Sequence, residues 1–304
     1  MNLTCFKLNI TGKIQLFAGC LSLLICQSLV AVEVIDDDNK LVSLATPANK
    51  IISLAPSLTE LLYAAGAGDK LVGVVEYSDF PEAAKSLPII GRFDMLDIER
   101  ILELSPDLVV AWQSGNPRAS VTRLQKLGLT VYVAEPDQLN SIPNHIEKLA
   151  LLADTESVAN LAVKDFREKL QKLRAEYSSK TPVSTFYQVW NSPLITAGGR
   201  ELINDIIKLC GGENIFSDIS QIAPKVSEEA VLARNPTVIV ASGMDIQRPE
   251  WLDNWKRWPS LTATKLDNLF FIPPELLQRH TPRALQGAEL MCRYIDQARV
   301  PSSK

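Results

Sequence analysis

Glu156-Ser-Val-Ala-Asn-Leu-Ala-Val-Lys-Asp-Phe-Arg-Glu-Lys-Leu-Gln-Lys-Leu-Arg-Ala-Glu-Tyr177 is the stretch on which the fold turns. Its apolar residues Val158, Leu161, Ala162, Phe166, Leu170, Leu173 and Tyr177 recur mostly at steps of three and four, the spacing of one helix face. Lys164, Asp165, Arg167, Glu168, Lys169, Lys172 and Arg174 form a charged face rich in good helix formers, and neither glycine nor proline interrupts the run. At about 1.5 Å per residue such a helix spans roughly 33 Å, the width of a small domain. A segment of strand and helix signals lies on each side of it. The spacing therefore predicts a rigid spine joining two lobes; a long surface helix on a single α/β domain is the alternative, and the flanks decide between them.

The chain has 304 residues, 46% hydrophobic and 22% charged, which fits one large or two ordinary globular domains. Its beginning is different. Lys7 and Lys13 are the only charges before Glu33, and residues 14–32 are almost wholly apolar, the layout of a secretory signal. A retained membrane anchor is the competing reading, since the run approaches spanning length. Export with cleavage near Ala31 is favoured because no later stretch is apolar enough to span. Leu16-Phe-Ala-Gly-Cys20 faintly resembles a lipoprotein box, but Phe17 fits poorly and the apolar run continues past Cys20, which argues against a lipid anchor. Loss of Lys7 and Lys13 takes the net charge from −4 to −6. An acidic chain without a Lys/Arg cluster argues against a nucleic-acid partner. Cys5, Cys20 and Cys26 leave with the signal. Cys210 and Cys292 remain as an even pair in an oxidising compartment, either bridged or as two buried thiols. A bridge closes a loop of about eighty residues and stabilises by roughly 4 kcal/mol in the entropic account.

In the first flank, Lys50-Ile-Ile-Ser-Leu-Ala-Pro56 reads as a short buried strand, followed by a helix over 57–65 that ends at Gly66. Strands over 71–75, 106–112 and 129–133 alternate with helices over 97–104 and 119–127, which predicts a parallel sheet covered on both faces. Ligands in such folds sit beyond the C-terminal ends of strands, where Tyr77 and Trp112 fall. The second flank offers a strand over 183–189, a helix over 201–209 and a terminal helix over 282–298. Ile98-Glu-Arg-Ile-Leu-Glu-Leu-Ser-Pro-Asp-Leu-Val-Val-Ala111 matches Glu228-Glu-Ala-Val-Leu-Ala-Arg-Asn-Pro-Thr-Val-Ile-Val-Ala241 without a gap. One helix–turn–strand unit used twice, with the spine between the copies, supports two similar lobes. The division is then residues 1–31 as signal peptide, 40–154 as first α/β lobe, 155–178 as connecting helix and 179–300 as second lobe. The fold class is α/β, two Rossmann-like lobes joined by a long rigid α-helix.

With that layout, the chain from Lys50 to Ala298 resembles the BtuF-like family of periplasmic cobalamin-binding proteins, within the helical-backbone class of solute receptors. The resemblance rests on Ser53-Leu-Ala-Pro-Ser-Leu-Thr-Glu60, Tyr77-Ser-Asp-Phe-Pro81, Pro106-Asp-Leu-Val-Val-Ala-Trp112, Cys210-Gly-Gly-Glu-Asn-Ile-Phe216, Val226-Ser-Glu-Glu-Ala-Val-Leu-Ala-Arg234 and the run from Arg279 to Arg283. The first and third stretches are general to the class, which also holds haem, siderophore and metal receptors. The resemblance implies capture of cobalamin or a related corrinoid as transported ligand, with no cofactor of the protein's own, no resident metal and no bond-making step. It implies delivery to the permease dimer of an ABC importer by a protein that is monomeric when free. Haem or a ferric siderophore is the alternative cargo.

Binding a corrin ring requires flat apolar walls and a few polar groups for its peripheral amides. Tyr77, Phe93, Trp112 and Trp190 are the candidate walls. The family pattern puts Tyr77 and Trp112 on the ligand; Phe93 stands where tryptophan is usual, Trp190 is one residue beyond a family phenylalanine position now held by Val189, and Ala223 replaces a tryptophan. The same pattern implies an acid at Glu275 and a ligand-facing arginine at Arg279, whose competing role is a surface ion pair with Glu275 as candidate partner. His280 replaces a small residue, and a hydrogen-bonded rim histidine outweighs a metal ligand there. Family resemblance and the internal repeat together mark Glu99 and Glu229 as a permease-docking pair, with helix capping as the plainer role. Trp251, Trp255 and Trp258 form a helical stripe expected to pack on the second lobe. An enzyme is disfavoured: there is no GxSxG, HExxH, P-loop or GxGxxG motif. A serine hydrolase would have to use His280, because His145 reads as a partly exposed helical residue on the outer side of the first lobe.

Overall fold

A computed structural model of the chain describes residues 31–243 and 246–299; the expected signal segment and Cys20 therefore lie outside the described residues. The spine forms as the spacing predicts, one helix over Glu156–Tyr177. Its inner face is not quite the predicted one. Ala159, Val163, Phe166, Leu170, Leu173 and Tyr177 are buried, a strict alternation of four and three, whereas Val158 and Leu161 are 54% and 74% exposed. An apolar stripe follows the surface it packs on, and here that surface is helix Ser141–Ala153 on one side and the terminal helix Ala284–Gln297 on the other. Val158 instead lies over Gly66, where an added Cβ would come within 2.7 Å of it.

The first lobe has four parallel strands in the spatial order Leu71–Val74, Ile51–Ser53, Leu108–Trp112, Val131–Ala134. Side-chain alternation divides them between two cores. Ile51, Leu108, Val110 and Tyr132 face the spine side; Ile52, Val109, Val131 and Val133 face helices Ile98–Glu103 and Arg118–Lys126. A hairpin, Val32–Ile35 with Leu41–Leu44, covers the outer side. Beneath it His145 is only 3% exposed, which corrects the expectation of a partly exposed residue. Tyr132 Oη lies 2.7 Å from its Nδ1, and Asp37 Oδ2 lies 3.0 Å from its Nε2. A histidine sandwiched between two partners is cheaper to bury than the helical pattern alone suggests.

The second lobe centres on strand Val183–Asn191, which pairs in parallel with Val238–Ala241 and Gly212–Asn214; Leu269–Phe271 extends the sheet beyond Val238–Ala241. Leu194–Thr196 folds back antiparallel, so this sheet is mixed where the first is purely parallel. The repeat is physical: helices Ile98–Glu103 and Glu228–Arg234 feed strands Leu108–Trp112 and Val238–Ala241 in the same way. The largest buried cluster runs from Ile51 and Leu108 through Phe166 and Leu170 to Met291 and Ile295, so one continuous core crosses both lobes by way of the spine. That continuity makes the spine a stiff connection. Cys210 and Cys292 are bridged, tying the end of helix Leu202–Leu209 to the terminal helix.

Candidate functional site

The C-terminal ends of the parallel strands in both lobes face one another across a cleft, the place where open α/β sheets present their loops to a ligand. A cavity of ≈ 140 Å³ lies there. The first lobe contributes Trp112, Ser114 and Glu135; the second contributes Val189, Thr196, Glu201, Ile203, Ala223, Gln278 and His280, among others.

Trp112 ends its strand, and its indole lies over Gly115, where a Cβ would fall 1.8 Å from the ring. Glycine is therefore required beneath this wall. Asn116 fixes the turn, accepting from the Trp112 N–H at 2.6 Å and donating to the carbonyls of Leu54 at 2.9 Å and Phe93 at 2.8 Å. Phe93 stands beside Trp112 with ring centroids 6.0 Å apart, 36% exposed. Glu135, the residue after strand Val131–Ala134, accepts from Ser114 N–H at 2.8 Å and, more weakly, from Trp112 Nε1 at 3.4 Å.

In the second lobe the strand alternation separates Val189 from Trp190. Val189 lines the cavity on the same face as Tyr187, while Trp190 turns to the opposite face, 6.4 Å from the Trp251 ring, and donates to the Ser192 carbonyl at 3.0 Å. The tryptophan stripe packs on the second lobe as expected, in a 3-10 helix over Glu250–Arg257, and buried Trp255 donates to Gln188 at 2.7 Å.

His280 lines the cavity with its Nε2 3.0 Å from Glu201 Oε1. Burial opposes charge on this imidazole, but the Glu201 hydrogen bond and charge outweigh it, with Glu135 and the Pro136 backbone adding, so its pKa is raised above 6.5. A raised folded-state pKa stabilises fully below the unfolded value and fades as pH rises through the folded one. The melting temperature of the parent chain is therefore expected to exceed that of His280→Asn most near pH 6. The gap should narrow on raising the pH towards 9; a gap that is constant with pH contradicts a charged His280.

A second set of contacts crosses the cleft at its rim. Arg279 Nη1 bonds Asp79 at 2.5 Å and Glu60 at 3.1 Å, and its Nη2 donates to the Tyr77 carbonyl at 3.2 Å. Arg283 holds Glu60 through Nε at 2.9 Å and Nη2 at 2.6 Å, and stacks on Phe80 with 4.3 Å to the ring centroid. The Glu60 side chain is 2% exposed. Arg279 thus pairs with carboxylates of the opposite lobe, and Glu275 sits apart in a short turn over Pro274–Leu276. Tyr77, with φ 65°, is 73% exposed on the rim.

Of the residues singled out from the sequence, Trp112 and His280 meet in the cavity, Phe93 flanks it, Tyr77 and Arg279 meet at the rim, and Trp190 and Glu275 lie away from it. Sequence reading missed Glu60, Asp79, Glu135, Glu201 and Arg283. Two had a legible signal. Glu60 interrupts the apolar run of helix Pro56–Ala64, and a charge on a core face needs a partner. Glu135 follows a strand end by the rule that found Tyr77 and Trp112.

Glu99 and Glu229 are both exposed in the first turns of their helices. The N-caps are Asp97, which accepts from Arg100 N–H at 2.9 Å, and Ser227, which accepts from Ala230 N–H at 3.2 Å; the Glu229 carboxylate also bonds its own backbone N–H and Ser227, which lowers its pKa. Glu228 is ion-paired with Arg257, and Glu229 is the more exposed of the two carboxylates.

The model of the family described as periplasmic binding protein matches residues 51–276. The chain is 40% identical over 250 residues to the vitamin B12-binding protein of Vibrio cholerae, covering 82% of this chain and 90% of that one. Its fold matches the crystal structure of periplasmic vitamin B12 binding protein BtuF of Vibrio cholerae with TM-score 0.77 and 40% identity, over 83% of this chain and 98% of that one. The periplasmic haem binding protein HutB of the same species matches at TM-score 0.69 and 23% identity, over 80% and 97% of the two chains, a likeness of fold alone. With two lobes on a helical spine and a cleft between their strand ends, the chain belongs to the periplasmic binding protein family, a binding and not an enzyme family, as a helical-backbone member similar to BtuF.

Proposed function

We propose that this protein captures cobalamin or a related corrinoid in the periplasm, after export through residues 1–31, and delivers it to the permease dimer of an ABC importer. The observation that carries the reading is the 40% identity to a vitamin B12-binding protein across both lobes. The aromatic wall at Trp112 and Phe93 supports it, as does a cavity lining without lysine or arginine among the described residues; a ferric siderophore would call for a basic pocket. Haem is the second reading, favoured by His280 in the cavity, although its Nε2 is held by Glu201. Sites for drug-sized ligands run to about 300–1,000 Å³, so a corrin ring enters only as the cleft widens from ≈ 140 Å³.

Calorimetric titration of the mature protein with cyanocobalamin, cobinamide and haemin tests the reading: heat with haemin and none with either corrinoid refutes it. Trp112→Ala and Tyr77→Ala are each expected to weaken corrinoid binding by about 1–3 kcal/mol, the range for a buried aromatic hot spot. Unchanged affinity in both variants removes the cleft as the binding site.

We assign docking to Glu99 and Glu229, which occupy equivalent, exposed places in the first turns of helices whose N-caps are Asp97 and Ser227. A homodimeric permease offers two equivalent basic sites to such a pair. The Glu99→Arg, Glu229→Arg double variant should bind corrinoid as the parent does and fail to stimulate transporter ATPase in liposomes. Undiminished stimulation rejects the assignment.

A further inference from the structure

The cavity carries more negative charge than an aromatic cleft for a neutral ring needs. Glu135 enters it from the first lobe and Glu201 from the second. Neither is there merely as a surface residue. Glu135 accepts from the Ser114 N–H at 2.8 Å, and Glu201 accepts from the Ile203 N–H at 2.6 Å and lies 3.0 Å from His280 Nε2. Each is thus anchored by a backbone donor at a strand end or helix start, so its position is set by the fold. The basic groups nearby offset Glu201 through His280 but leave Glu135 without an ion pair among the described residues. Arg279 and Arg283 are taken up by Glu60 and Asp79 at the rim, and His280 is held by Glu201.

We infer that Glu135, with the His280-paired Glu201 across the cleft from it, selects the ligand by charge, admitting rings whose edge carries neutral amides and rejecting rings whose edge carries ionised carboxylates. This rests on the corrinoid reading and deepens it. A carboxylate has two oxygens and about four acceptor positions, so each glutamate keeps capacity for a ligand N–H after its backbone donor is satisfied. A primary amide brings that N–H. An ionised acid of the same shape brings only lone pairs and a like charge against these carboxylates, and the two repel. Rejection by an unpaired like charge is an established route to specificity. The preferred cargo is therefore a macrocycle fringed with amides; its partly hydrolysed acids and propionate-bearing porphyrins are disfavoured.

Two matched pairs separate this from the corrinoid reading: cyanocobalamin against its monocarboxylic acid derivatives, and haemin dimethyl ester against haemin. Affinities are measured at pH 7.5 for the parent, Glu135→Gln and Glu201→Gln. In whichever pair binds, the acid member should be weaker by about tenfold or more, and Glu135→Gln, which keeps the shape and one acceptor, should shrink that ratio to about threefold or less. Glu135→Gln decides, and Glu201→Gln should change the ratio less, because it also removes the group that keeps His280 charged. Binding of the haemin pair without cyanocobalamin sinks the corrinoid reading, and the ester-to-acid ratio still judges the charge rule. Equal or tighter binding of the acid member, or a ratio unchanged in Glu135→Gln, overturns the rule. Binding of neither pair overturns both.

Discussion

Glu60→Gln is expected to destabilise the protein by about 3 kcal/mol and to part the lobes at the rim. Breaking a buried ion pair from one side costs about 3–5 kcal/mol because the surviving charge stays buried without a partner. Here the survivors are Arg279 and Arg283, whose side chains are 21% and 16% exposed, so water recovers part of the cost and the lower figure applies. Asp79 still holds Arg279, but Arg283 loses its counter-charge and one of two acceptors, keeping a neutral hydrogen bond and its stacking on Phe80. Because these contacts join the lobes, the loss can also emerge as opening. Urea unfolding and small-angle scattering are therefore read together. A parent-like midpoint with a parent-like radius of gyration would show that the bridge contributes nothing. Glu60→Leu combined with Arg283→Met should recover most of the stability, since an apolar pair of similar volume avoids the desolvation cost of the ions.

Removal of the disulfide in a Cys210→Ala, Cys292→Ala double variant is expected to cost about 4 kcal/mol, the largest single effect of any change discussed. The bridge spans 82 residues, and cross-linking so long a loop restricts the unfolded chain far more than the folded one. In the folded state the terminal helix has other ties. Arg299 donates to the carbonyls of Cys210 and Gly211, each at 2.8 Å, and Lys180 pairs with Asp296 at 2.8 Å. The helix should accordingly stay docked, and the change acts mainly through the unfolded state. For a chain of this size the melting temperature falls by roughly 2–4 °C per kcal/mol, so a drop near 10 °C is expected by calorimetry under non-reducing conditions. A drop of only 1–2 °C would mean that the unfolded chain is already confined without the bridge.

Several features of this protein were decided locally and could be read along the chain. The spine follows from an unbroken run of helix formers with apolar residues three and four apart, a pattern that no neighbouring segment has to complete. The two-lobed plan follows from the repeated unit, which folds into the same helix and strand on both sides of the spine. The Cys210–Cys292 pair could be named along the chain, but whether it is bridged or two buried thiols could not, since bridging needs the two residues brought together.

Tertiary structure decided what depends on distant partners or on a phase of one residue. Ala159 and Val163 are buried in place of Val158 and Leu161 because helices at both ends of the spine choose which stripe they cover. Val189 and not Trp190 reaches the cavity because consecutive strand residues point to opposite faces, so a one-residue shift moves a side chain from the cleft to the back of the sheet. Arg279 meets Glu60 across 219 residues of sequence, and Glu135 meets Glu201 across the cleft only because two separate sheets aim their strand ends at each other. Periodicity is a property of the local chain and survives in the sequence; apposition of two lobes is a property of the packed core, and no local pattern records it.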